Sequence, residues 1–164
     1  MLTEDVTCLA CDLIEHPDRV PGGRIATLGT WVVEHCIGPL GVGSVVVKPT
    51  RHVIHLADLS PDEASELGPA LAMVSRAVTL ASEEVGETPG QVYACLWSHA
   101  GRKPGHIHFV IQPVSDALMS RYDAHGPELQ VRMFRTGDSM DPEAMRDAAT
   151  RIRNHLNRHG TAEA

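Results

Sequence analysis

Two cysteines near the start of the sequence have the spacing of a metal-binding or redox pair. Cys8 and Cys11 are separated by two residues, a gap that lets two thiolates bind one tetrahedral ion. We therefore interpret them as half of a Cys₂His₂ zinc site, with two ordinary buried cysteines or a redox-active dithiol as the alternatives. The histidines that could complete the site form two close pairs, which are His52 with His55 and His106 with His108.

The segment 105–111 alternates histidine with apolar residues, as a half-buried strand does. Residues two apart in a strand share a face, so we expect His106 and His108 to project together. Neutral imidazole attacks phosphorus near pH 7 and forms a phosphoramidate, which makes His108 the candidate nucleophile and leaves His106 as a metal ligand. Arg102 and Lys103 precede the segment and could bind phosphate together with backbone N–H groups, with a solvated turn as the alternative.

The composition limits the classes of ligand. With 164 residues we expect a single domain over residues 1–164. The chain has 14 Lys and Arg against 21 Asp and Glu, a net charge of −7 that argues against binding of long nucleic acid through its phosphates. A small phosphorylated ligand needs only a local cluster of donors. No segment approaches the roughly 18 apolar residues of a membrane span, so we expect a cytoplasmic protein without a membrane partner.

The elements that must position these residues are predicted from turn signals and apolar periodicity. Ser60 as N-cap, Pro61 in the first turn and Glu63 three residues after the cap predict the start of a long helix. These elements predict an α+β fold with a mainly antiparallel sheet around one long central helix. The predicted elements are strands over 27–36, 44–48, 91–97 and 106–114, a polar loop over 98–105, and helices over 60–86 and 141–160.

Several of these segments together resemble the histidine triad superfamily of nucleotidyl hydrolases and transferases. The resemblance covers residues 8 to about 114, so that 115–164 would be a C-terminal extension that contains the last helix. It implies a five-stranded antiparallel sheet with helices and a homodimer, and the extension would be a cap over the site or a dimerisation element. The segments that carry it are His106-Ile107-His108-Phe109, the run Val47-Lys48-Pro49-Thr50-Arg51-His52-Val53, and the run 56–63 that opens the long helix.

The zinc-containing branch of that superfamily includes galactose-1-phosphate uridylyltransferase, and it suggests which residues would hold a structural zinc ion. His55 competes with His52 for the third position, and His99 is a weaker candidate. The ligands implied by the resemblance are Cys8, Cys11, His52 and His106.

The resemblance also implies catalytic and phosphate-binding positions, with departures. His108 matches the family nucleophile, whereas the third signature histidine is replaced by Val110, which cannot donate a hydrogen bond. Gln112 lies two residues after Val110, and we expect it on the same strand face, where it could partly replace the missing histidine. Ser98 is the nearest replacement for an asparagine that many family members have upstream of the signature. The substrate-binding or phosphate-binding candidates are therefore Ser98, Arg102, Lys103 and Gln112.

Two functions follow from this sequence. The first is a nucleotidyl hydrolase or transferase that acts on a small phosphoanhydride, phosphoramidate or nucleotide-sugar through a nucleotidylated His108. The alternative is a zinc-stabilised nucleotide-binding or regulatory module whose catalysis was lost or weakened when Val110 replaced the third histidine.

Overall fold

A computed structural model describes residues 8–100 and 103–160, with only the backbone described at residues 100, 103, 159 and 160. The strands are β1 (Arg24–Leu28), β2 (Trp31–His35), β3 (Val45–Pro49), β4 (Gln91–Ala100) and β5 (Lys103–Val114). The α-helices are α1 (Leu9–Glu15), α2 (Pro61–Glu83), α3 (Asp116–Tyr122), α4 (Gly126–Thr136) and α5 (Pro142–Gly160). Short 3₁₀ helices at Pro17–Arg19 and Leu56–Asp58 complete the regular structure of the described residues.

The strands form one five-stranded sheet in the order β1-β2-β3-β5-β4, and every neighbouring pair is antiparallel. This confirms the predicted α+β fold. The prediction of one strand over 27–36 was wrong, because a turn at Gly29 and Thr30 divides the segment between β1 and β2. Gly29 has a φ of +58°, and the Glu66 carboxylate accepts hydrogen bonds of 2.7 Å from both the backbone N–H and the hydroxyl of Thr30.

The polar loop predicted over 98–105 was also wrong for the part of it that the structure describes. β4 continues to Ala100 and β5 begins at Lys103, with His99 opposite Pro104 and an irregularity in the register between Trp97 and His99. Backbone pairing therefore continues through a segment whose side chains are polar, and the polar side chains by themselves do not indicate this pairing.

The long helix α2 begins as predicted. The Glu63 backbone N–H donates to the Ser60 hydroxyl at 3.2 Å, and the Ser60 backbone N–H donates to the Glu63 carboxylate at 2.7 Å, which completes the capping box. The predicted last helix is present as α5. No helix in the described ranges is long and apolar enough to cross a membrane.

The two faces of the sheet carry different layers. One face packs against α2 and α5 through a core that includes Trp31, Val47, Ile111 and Ile152. The opposite face, which bears Val110, packs against α3 and α4. Because residues alternate along a strand, His106 and His108 belong to the face of Val110, beside the helices that follow residue 114.

Candidate metal and phosphoryl-transfer site

Four potential metal ligands from separate parts of the chain lie together at one end of β5. Cys8 is the N-cap of α1, Cys11 lies in the first turn of that helix, His52 follows β3, and His106 belongs to β5. One donor atom from each lies within 4.8 Å of the other three. The structure therefore brings together the four residues that the sequence analysis names as ligands.

The distances within this cluster suit a tetrahedral zinc ion. Cys11 Sγ lies 3.3 Å from His52 Nδ1 and 3.5 Å from His106 Nδ1. Zinc bonds of ordinary length at a tetrahedral angle place sulfur and nitrogen ligands about 3.6 Å apart. The donor set and its spacing therefore fit zinc.

Hydrogen bonding and burial prepare His106 to be a ligand. Its Nε2 lies 2.9 Å from the Pro49 carbonyl, which can only accept, so Nε2 carries the hydrogen and Nδ1 presents its lone pair towards Cys11. Burial, the largest cause, lowers the pKa of His106 to about 4, so the imidazole is neutral at pH 7. Burial and the adjacent Cys8 thiol raise the pKa of Cys11 to about 11, so the metal would displace its proton.

The two alternative histidines occupy other positions. His55 is exposed at the start of the 3₁₀ helix Leu56–Asp58 and does not belong to the four-ligand cluster. His99 lines the neighbouring cavity and is also outside the cluster.

His108 has the geometry of a nucleophile. Its Nδ1 lies 3.0 Å from the backbone carbonyl of His106, so Nδ1–H donates and Nε2 keeps a free lone pair. Burial lowers the pKa of His108, and the nearby ammonium of Lys48 lowers it further, which favours the neutral and nucleophilic imidazole.

A cavity of about 470 Å³ is lined by His108 and by three members of the four-residue cluster, Cys8, His52 and His106. That volume is in the range of pockets for small ligands. Part of its wall is Phe134 of α4, whose ring lies against Trp97 with centroids 5.1 Å apart and the ring planes tilted by 39°. Among the described residues that line the cavity, Phe134 is thus the contribution of the segment after residue 114. Apolar residues from different elements supply most of the wall, among them Leu13, Leu40, Val46, Val110 and Phe134.

An ion pair within the cavity lining was missed by the sequence analysis. Lys48 Nζ lies 2.6 Å from Glu34 Oε2, and the side chains of Lys48 and Glu34 are only 3% and 2% exposed. The other carboxylate oxygen, Oε1, is buried and has no hydrogen-bond partner among the described residues. The available signal was one charged residue of each sign in two strands whose other residues, His35 excepted, are apolar.

Two of the candidate phosphate-binding residues, Gln112 and Ser98, are described by the structure, and neither lines the cavity. Gln112 shares the face of His108 but is fully buried, and its amide donates to the Leu40 carbonyl and accepts from Gln130. Ser98 lies at the irregularity in β4 and is not among the residues that line the cavity. Arg102 and the side chain of Lys103 lie outside the described part of the structure.

Comparison with known proteins gives structural matches only. No family model and no curated protein sequence matches the chain. A crystal structure described as a Zn-bound histidine triad family protein from Mycobacterium smegmatis is 18% identical, covers 96% of this chain and 98% of its own, and superposes with a TM-score of 0.61. A Hit-like protein from Bartonella henselae, described as involved in cell-cycle regulation, is 16% identical over 94% of this chain and 99% of its own, with a TM-score of 0.66.

A uridylyltransferase mutant is a third structural neighbour. It is 19% identical, with a TM-score of 0.65, and the match covers 95% of this chain but 49% of the uridylyltransferase. At these identities the similarity establishes the fold, and it agrees with the resemblance predicted from the sequence. The chain therefore has the histidine triad fold.

Proposed function

We propose that this protein transfers or hydrolyses the nucleotidyl group of a small phosphoanhydride, phosphoramidate or nucleotide-sugar, through a covalent intermediate on His108. The observation that carries the proposal is the orientation of that imidazole. The Nδ1–H of His108 donates to the His106 carbonyl, and His108 lines a cavity of about 470 Å³. A fixed and neutral imidazole beside a cavity large enough for a nucleotide is suited to in-line attack on phosphorus.

The chemistry proceeds in two displacements. In the first, the Nε2 lone pair of His108 forms a bond to phosphorus while the bond from phosphorus to the leaving group breaks, and the leaving group departs with that electron pair. The positive charge on the imidazole stays shared with Nδ1–H, which the His106 carbonyl stabilises. In the second, an oxygen of water or of another acceptor forms a bond to phosphorus while the bond from phosphorus to Nε2 breaks. Nε2 recovers that electron pair, and the proton of the acceptor passes to solvent.

The proposed zinc site is structural. The ion would be held by Cys8, Cys11, His52 and His106. The protein would then fill all four positions of the tetrahedron, as it does in structural zinc sites. His106 is then fixed by a ligand bond at Nδ1 and by the Pro49 carbonyl at Nε2, and its own backbone carbonyl orients His108. The metal would thus act on the reaction only through the position of His108.

A second candidate function is a nucleotide-binding module without turnover. Val110 is apolar and 2% exposed, and the amide of Gln112 is used within the protein interior. Both facts favour weak catalysis, because the loss of one donor to the transition state costs on the order of 10²-fold or more in rate.

The test is intact-mass spectrometry after rapid quenching without acid. The wild-type protein would be incubated with a panel of nucleoside polyphosphates, nucleoside phosphoramidates and nucleotide-sugars. We expect a nucleotidyl adduct that peptide mapping assigns to His108 and that is absent in His108→Ala. His55→Ala is the matched control, because His55 is exposed and outside the cavity lining, and it should retain the adduct.

The two functions give different results in this experiment. Two results together would favour the binding module. His108→Ala would still bind nucleotide, and zinc-loaded wild-type protein would form no adduct or product from any substrate. Absence of nucleotide binding by the wild-type protein would overturn both.

We also propose that the protein is a homodimer, as the resemblance implies. β4 lies at the edge of the sheet, and Leu96 on this strand is 40% exposed. Light scattering after size exclusion should give twice the 17.7 kDa mass of one chain. A mass of one chain at micromolar concentration would contradict this proposal.

A further inference from the structure

The ion pair between Lys48 and Glu34 is buried, and a buried ion pair adds little to the stability of a protein. Both side chains are almost fully buried, and one oxygen of the carboxylate, Oε1, has no partner among the described residues. A buried ion pair is in general no more stabilising than apolar residues of the same volume, and a buried oxygen without a donor adds a further penalty. Since both residues also line the cavity, a role towards a ligand is the more economical explanation.

Strand register places the pair in the same layer as the nucleophile. In β2 and β3 Glu34 lies opposite Val46, and in β3 and β5 Val46 lies opposite Val110. Lys48 follows two residues after Val46 in β3, on the same face of the sheet, and it lines the same cavity as His108. The Lys48 ammonium lies 2.6 Å from Glu34 Oε2, so it extends towards the row formed by Glu34, Val46 and Val110, within the cavity that His108 also lines.

Lys48 is the only lysine or arginine among the described residues that line the cavity. An ammonium group has three N–H donors, and Glu34 Oε2 takes one of them. Two N–H donors and a positive charge are thus available in the cavity that His108 lines, whereas Val110 offers neither a donor nor a charge.

We propose that Lys48 binds the phosphoryl group that His108 attacks, and that Glu34 is the positioning residue that holds the ammonium in place. This inference rests on the proposed function. Lys48 donates to the nonbridging oxygens of a nucleoside phosphate and balances their charge during the displacement. The ligand class is therefore a nucleotide recognised at its phosphoryl group, and Lys48 supplies the contact that the valine cannot make.

The test separates binding of the phosphoryl group from binding of the nucleoside. Calorimetry would compare AMP, GMP, CMP and UMP with their nucleosides in wild-type protein and in Glu34→Gln/Lys48→Met, which removes both charges without leaving one buried alone. We expect monophosphate affinity to fall by about 10-fold or more and nucleoside affinity to stay within about twofold. Glu34→Gln alone keeps the ammonium, and it should lose less monophosphate affinity than the double variant.

Asp138→Asn/Arg121→Met is the matched control. It removes an ion pair of 2.8 Å between exposed side chains that do not line this cavity, and it should leave monophosphate binding unchanged. A loss in the control equal to that in Glu34→Gln/Lys48→Met would contradict a local role for Lys48.

A measurement on the wild-type protein avoids any dependence on the folding of the double variant. The sequence has two lysines, Lys48 and Lys103, so lysine labelled with ¹³C gives two Cε signals that Lys103→Arg assigns. We expect monophosphates, and not nucleosides, to shift the Lys48 signal. An unshifted Lys48 signal at saturating monophosphate would overturn the proposal.

The outcomes also separate this inference from the proposed function. If wild-type protein forms the His108 adduct and zinc-loaded Glu34→Gln/Lys48→Met forms it at the same rate, only the role of Lys48 is wrong. If the wild-type protein binds no monophosphate and forms no adduct, both proposals fail.

Discussion

Replacement of Cys11 by serine should remove the proposed zinc ion and release the first helix. Cys11 contacts both histidines of the cluster, with Sγ 3.3 Å from His52 Nδ1 and 3.5 Å from His106 Nδ1. We expect zinc to fall from about one ion per chain to well below one, because a serine hydroxyl is a poor zinc ligand beside a thiolate.

The expected loss of stability follows from what else holds α1 in place. Leu13 is its only buried residue, and burial of one leucine contributes roughly 1.5–3 kcal/mol. At free zinc about 100 times the dissociation constant, a bound ion contributes about 2.7 kcal/mol. For a chain of this size such a loss lowers the melting temperature by roughly 5–11 °C. A bound zinc ion would thus contribute about as much to the docking of α1 as the one buried side chain of that helix does.

Metal analysis, thermal unfolding and hydrogen exchange would test this expectation together. The amides of α1 should exchange faster in Cys11→Ser, and in wild-type protein treated with a chelator, while α2 keeps most of its protection. Cys95→Ser is the matched control, because Cys95 is partly buried and outside the four-ligand cluster. A Cys11→Ser variant that keeps a full zinc ion, or that loses zinc with unchanged melting temperature and α1 exchange, would refute the reasoning.

Three further predictions concern the elements that support the site. Ser60→Ala removes the N-cap hydrogen bond of α2, and urea unfolding should show a loss of about 1 kcal/mol. Arg51 holds the pKa of the Glu63 carboxyl below its usual range, so Glu63→Gln should destabilise the protein above the ordinary carboxyl pKa of about 4.3. The difference in stability from wild type should vanish as the pH falls through the lowered pKa. An equal difference at pH 7 and pH 3 would contradict this. Gly22 has a φ of +86°, and a Cβ at this position would lie 2.4 Å from Ala149 Cβ. Gly22→Ala should therefore lower the free energy of unfolding by more than about 1 kcal/mol in thermal unfolding. An unchanged melting temperature would show that α5 shifts to make room for the methyl group.

The parts of the site that local chemistry determines could be predicted from the sequence. The alternation around His106 and His108 gives both the strand and its polar face, and the gap between Cys8 and Cys11 gives half of a tetrahedral donor set. The capping box at Ser60 involves residues three apart, so it too was visible. In each case the interacting groups are close along the chain or share a simple period.

The parts that depend on long-range packing could not be predicted in this way. Gln112 does share the strand face of His108, but α4 covers it, and its amide is used by Leu40 and Gln130. Lys48 and Glu34 meet only because β2 and β3 pair in one particular register. Nothing in the sequence near Phe134 indicates that its ring reaches a cavity formed by the sheet.

The four-residue cluster brings together side chains that the ribosome adds at well-separated times. Cys11 and His106 are separated by 95 residues. At about 5–20 residues per second, the ribosome would add His106 roughly 5–20 s after Cys11. During that interval both cysteines are thiols without their final partners, accessible to oxidants and to competing metal ions. The nascent chain would therefore pass through a redox-sensitive stage that ends only when β5 completes the sheet and the four donors meet.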